Sequence, residues 1–91
     1  MTHRTNIRRH EARLNITWQG QNGDLPDPVP FHASDTELKQ WAAEAIMGHS
    51  VPGIRHHRGT IGLHDFVVDR FSATAHTPYN RIMIRPKTPF G

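Results

Sequence analysis

The chain has 91 residues, which is room for one hydrophobic core and not for two. It has no cysteine, so disulfides, thiolate metal sites, iron–sulfur clusters and a cysteine nucleophile are excluded together. Residues 1–13 hold Arg4, Arg8, Arg9 and Arg13 against Glu11 and so account for the whole net charge of +3, while the rest of the chain is balanced. No apolar run approaches the roughly 20 residues of a membrane span. No apolar segment follows the arginines as it would in a secretory signal. The expected compartment is the cytosol.

Residues 1–13 have one large aliphatic residue, Ile7, after Met1, and read as a basic, mobile arm without an apolar face. Leu14, Ile16 and Trp18 then alternate with Asn15, Thr17 and Gln19, the period-two pattern of a half-buried strand. Gly20 to Asp24 carries a turn signal, with Asn22-Gly23 suited to positive φ. In the following DLPDPVPFH segment, Val29 and Phe31 are candidate core positions of a second strand. Pro26, Pro28 and Pro30 lie two apart, so one side of that strand has no donors at three successive positions. A strand of this kind belongs at a sheet edge.

Ser34-Asp35-Thr36-Glu37 forms a capping box, in which hydroxyl and carboxylate each satisfy a backbone donor at the start of a helix. Behind it Leu38, Trp41, Ala42, Ala45 and Ile46 fall on one helical stripe. Gly48 and the Pro52-Gly53 pair end it, which predicts a helix over 35–47. Val51 to Gly62 reads as a polar loop, His64 to Phe71 as a strand, and Ser72 to Asn80 as a connection. Arg81 to Arg85 alternates as a last strand, and residues 86–91 form an extended tail with Pro86 and Pro89.

One helix of this length covers one face of a four-stranded sheet, giving an α+β fold. The order hairpin, helix, strand pair is that of the β-grasp, with first and last strands side by side at the centre and the second strand at an edge. Across residues 14–91 the chain resembles the ubiquitin-like superfamily in that order, in the segment Tyr79-Asn80-Arg81-Ile82-Met83-Ile84-Arg85, and in a short tail closing at Gly91. Phe90 stands where such tails usually have the first of two glycines. With the basic arm (1–13) already read from composition, the resemblance implies a mixed four-stranded β-grasp domain (14–85) followed by a tail (86–91). It also implies a protein modifier or carrier whose Gly91 carboxylate is adenylated by an activating enzyme; in that reading Phe90, which departs from the family pattern, is expected to anchor the tail in an apolar pocket, and the chain is expected to be a monomer.

Two other readings follow from the residues. One is a non-conjugated adaptor that binds a protein partner through its sheet. The other is a nucleic-acid-associated protein whose Arg4, Arg8, Arg9 and Arg13 contact phosphates. No aromatic side chain is interleaved with those arginines for base stacking. His56, His57 and His64 do not match a standard metal-site spacing, His10-Glu11 lacks the second histidine of a zinc-protease motif, and neither phosphate-cradling glycine motif occurs. The serines have no nucleophile-elbow context. The sequence therefore predicts no enzyme, no cofactor and no metal.

Overall fold

The computed structural model describes residues 7–56 and 59–87. The fold is α+β, with one helix packed on a mixed sheet of five strands. The elements in order are β1 (Glu11–Trp18), β2 (Gln21–Asp24), β3 (Val29–Pro30), α1 (Asp35–Met47), β4 (Val67–Phe71) and β5 (Asn80–Arg85). The first and last strands, β1 and β5, run parallel at the centre, with Leu14 opposite Ile82 and Ile16 opposite Ile84. β4 is antiparallel to the far side of β5. β2 and β3 are both antiparallel to β1, and since Ala12 and Ile16 have β5 on their other side, both lie on the same flank.

The fifth strand corrects the four-strand expectation. The hairpin turns at Gln19-Gly20, both with positive φ (50° and 74°), the pair of left-handed residues a two-residue hairpin needs. Asn22 and Gly23, read from sequence as turn residues, are instead paired with Thr17 and Ile16. Gly23 is required by packing rather than by turning: a Cβ there would lie 2.2 Å from the Pro52 carbonyl oxygen and 2.8 Å from Val51 Cγ1. The proline-rich return strand is interrupted at residues 25–28 and pairs again only at Val29–Pro30. β3 lies on the edge flank, but of the three prolines only Pro30 is in it; Pro26 and Pro28 fall in the interruption, so the expected run of three prolines along one strand is not formed. The Leu25 and Phe31 amides donate to Leu14 O and His10 O, both at 2.9 Å, which continues the ladder past its ends.

The sheet also begins earlier than the alternation predicts. Glu11, Ala12 and Arg13, assigned to the arm by composition, are the first residues of β1, and Ala12 has no exposed surface. Asn80 explains why the chain is held there. This buried side chain donates to Arg9 O (2.8 Å) and Glu11 O (2.9 Å) and accepts from the Ala73 amide (2.9 Å). One amide thereby joins the entry to β1, the start of β5 and the preceding connection.

The helix spans the predicted residues. The Glu37 amide donates to Ser34 Oγ, and the Ser34 amide donates to Glu37 Oε1, each at 3.1 Å. At the other end the left-handed position belongs to His49 (φ 57°) and not to Gly48, which has φ −86°. Ser50 and His49 donate to Ala45 O and Ile46 O, the paired bonds of a Schellman cap. Leu38, Ala42, Ala43 and Ile46 are buried in one core with Ala12, Leu14, Ile16, Ile82 and Ile84. Trp41 is half-buried against that core.

The segment from Val51 to Leu63, polar in overall composition, contributes Val51, Ile54, Ile61 and Leu63 to the same core. It is pinned to the hairpin by Gln21. The Arg55 amide donates to Gln21 Oε1 at 2.7 Å, and Gln21 Nε2 donates to Arg55 O at 3.2 Å. Arg70 of β4 reaches Phe31 O and the Asp35 carboxylate at the start of the helix. No described helix is long and apolar enough to cross a membrane.

Candidate functional site

Alternation along β1 and β5 buries Ala12, Leu14, Ile16, Ile82 and Ile84 and turns Arg13, Asn15, Thr17, Arg81, Met83 and Arg85 to the opposite face. The register assembles that face. Arg13 stands opposite Arg81, and Arg81 opposite Phe71; in the adjacent row Asp24, Asn15, Met83 and Asp69 follow one another across four strands. A shallow hollow of about 260 Å³ lies among Arg13, Asn15, Asp24, Tyr79, Arg81 and Met83. Tyr79 also borders a second hollow with Arg8 and Arg9.

The charges on this face differ in how they are matched. The Arg13 guanidinium lies 5.3 Å from the centre of the Tyr79 ring and 3.7 Å from Asp24. Arg85 Nε donates to Asp69 Oδ2 at 2.8 Å. Arg81 sits 5.1 Å from the Phe71 ring and makes no ion pair among the described residues. Phe71 is the one large hydrophobic residue that is exposed among those described, at 40%. An arginine resting on an aromatic ring keeps its in-plane donors directed outward, available to a carboxylate or phosphate.

Beside it the polar side chains are fixed. Asn15 Nδ2 lies within hydrogen-bond distance of Asn22 Oδ1, Gly23 O and Asp24 Oδ1, at 2.9–3.2 Å. Asn22 Nδ2 in turn donates to Asn15 Oδ1 and Thr17 Oγ1, both at 2.9 Å. Such a network holds one edge of the face in a single arrangement.

The residues singled out from sequence are distributed differently. Gly91, Phe90 and Arg4 lie outside the described residues. Arg8 and Arg9 are exposed ahead of β1, and the Arg8 amide donates to Glu11 Oε1 at 3.0 Å. Of the four arginines proposed for phosphates, Arg13 is on the open face and already engaged by Asp24 and Tyr79. His57 lies outside the described residues. His64 is exposed and 3.5 Å from Asp65, while His56 packs beside Trp18 and His49. No group of three or more metal-ligating side chains occurs among the described residues.

Sequence reasoning passed over Phe71, Tyr79 and Arg81 as a site because each is unremarkable in its own segment. The alternation of residues 81–85 gave the facing of Arg81, but only the β4–β5 register puts Phe71 beneath it. No known protein family matches the chain. No curated protein and no solved structure matches it significantly.

Proposed function

We propose that this chain is a β-grasp protein-interaction module that receives an acidic segment of a partner protein on the open face of its sheet. Parallel central β1 and β5, an edge formed by the second strand and one helix across one face agree with the β-grasp order. The observation that carries the function is Arg81. Arg13 and Arg85 each have an aspartate on the same face, whereas among the described residues Arg81 has only the Phe71 ring. A partner carboxylate would complete the pattern, and Phe71, Tyr79 and Met83 offer apolar and aromatic contact beside it.

Transfer through Gly91 rests on residues 88–91 and therefore on the sequence resemblance alone, so the open face takes precedence. The basic entry segment offers a nucleic acid less, because Arg13 is held by Asp24. Titration of the labelled protein with a short Glu/Leu-alternating peptide, followed by NMR, tests the proposal. Shifts should gather at Arg13, Phe71, Tyr79, Arg81 and Met83. They should vanish when Lys replaces Glu in the peptide or in the Arg81→Gln variant. Shifts confined to the helix side, or none, would overturn it. A DNA duplex that perturbs Arg8 and Arg9 while the peptide does nothing would favour the nucleic-acid reading.

A further inference from the structure

The sheet has two edges, and they are finished differently. On one flank β2 and β3 are short, the chain between them is interrupted, β3 carries Pro30, and the two bonds between Gln21 and the Arg55 backbone close the 51–56 segment onto β2. On the other flank β4 is the last strand in the order β2-β1-β5-β4. Among the described residues it pairs with β5 alone, and no backbone hydrogen bond beyond that ladder reaches Val67–Phe71. Val67, Val68 and Phe71 favour an extended chain, and the strand contains no proline or glycine. Charges that could guard such an edge are engaged elsewhere. Arg70 is held by Phe31 O and the Asp35 carboxylate, and Asp69 by Arg85 Nε. Among the described residues the outward N–H and C=O groups of β4 are therefore open to another extended chain.

We infer that the acidic partner segment binds as a strand added to the outer edge of β4, with one carboxylate set beside Phe71 to take Arg81; the inference rests on the open-face reading above. Arg81 points the way. Its guanidinium lies 5.1 Å from the centre of the Phe71 ring, so the side chain leans from β5 over β4 and toward that edge. A strand added to β4 runs about 4.8 Å beyond it, with alternate side chains on the open face. A glutamate opposite Phe71 then reaches across the ring to the guanidinium, and its stem covers part of a ring that is 40% exposed. Main-chain bonds to β4 supply affinity that depends little on the partner's sequence. The neighbouring open-face position lies beside Asp69, where a second acid would meet a like charge. The best partner is therefore an extended segment with an acid beside Phe71 and an uncharged or basic side chain beside Asp69.

Three forms of the Glu/Leu-alternating peptide test this by NMR titration of the whole chain: unmodified, N-methylated at every Leu, and N-methylated at every Glu. In an added strand alternate residues turn their amides toward β4, so methylation of one set removes the main-chain bonds and methylation of the other touches none of them. One methylated form should lose roughly tenfold or more in affinity while the other binds like the parent. The unmodified peptide should also slow hydrogen exchange at those β4 amides that do not bond β5. Two methylated forms of equal affinity, or unchanged exchange along β4, would overturn strand addition. The open-face reading would survive that result, because docking by side chains alone is indifferent to which amides are methylated. No shift at Arg81 with the unmodified peptide would overturn both.

Discussion

Ala12, Leu14, Ile16, Ile82 and Ile84 line the covered face of the sheet with no exposed surface, whereas Arg13, Asn15, Arg81 and Met83 alternate with them on the same two strands and remain half-buried. The covered face is held by a second layer, the helix and the 51–63 segment, and its energetics follow the area removed from water. Among the described residues the open face has no second layer. Its order comes from neighbours within the sheet: two arginines against aromatic rings, two arginine–aspartate pairs and a chain of asparagine amides. Burial of the core therefore rests on one side of β1 and β5, and the other side takes no part in it. Substitutions on the two faces should differ in kind as well as in size.

The largest loss should come from the covered face. Ile82→Ala opens a cavity at a central position without exposed surface and should cost about 2–5 kcal/mol. In a domain of this size that lowers the melting temperature by about 4–8 °C per kcal/mol. Thermal and urea denaturation check it. A shift of only a degree or two would mean that this face is not the centre of the core. Trp41→Ala should cost less than its place on the predicted stripe implies, because the ring is only half-buried.

Gly23→Ala comes next and tests how firmly the 51–63 segment seals the covered side. The added methyl meets backbone at Pro52, which cannot swing away as a side chain would. Such overpacking costs about 1–3 kcal/mol. Amide exchange should rise first at residues 51–56, where Gln21 and Gly23 hold the segment, with β4 and β5 less affected. Asn80→Ala should fall in a similar range, about 1–3 kcal/mol, by stranding Arg9 O, Glu11 O and the Ala73 amide. Its distinctive readout is faster exchange at residues 9–12, and Asn80→Asp, which keeps an acceptor for Ala73 but loses the donors, should protect only the Ala73 side.

Legibility in the sequence follows the same division. The helix was readable to its ends because its capping box and stripe are local, and the central strands because alternation is local. The edge placement of the proline strand was readable because a missing donor is a property of the residue itself. The start of β1 was not, since Glu11, Ala12 and Arg13 carry no pattern and are held by Asn80 from nearly seventy residues away in the chain, a bond of separation 69 or 71. The hairpin turn was misplaced because Asn22-Gly23 is the stronger turn signal. Here Asn22 is retained by Asn15 and Thr17, and Gly23 by the approach of Pro52. The core residues of the 51–63 segment were hidden because they follow neither helical nor strand period. The open face depends wholly on register, so none of its pairings could be read from a single segment.

The smallest effect sharpens the comparison from the other side. Arg85 and Asp69 are bonded at 2.8 Å, with side chains 51% and 34% exposed. A pair so wetted exchanges hydration for a contact of nearly equal free energy and is screened by salt, so its net contribution is about 0–1 kcal/mol. Arg85→Ala should therefore shift the urea midpoint little, and what shift there is should shrink further in high salt. The same substitution also alters the open face in a defined way: it leaves Asp69 without its cation, two residues along the strand from Phe71. An added unmatched negative charge there should weaken the acidic peptide severalfold while the fold stays intact. Equal peptide binding in Arg85→Ala and wild type at low salt would show that charge matching on this face does not govern recognition. A loss of stability as large as that of Ile82→Ala would show that the two faces are not independent.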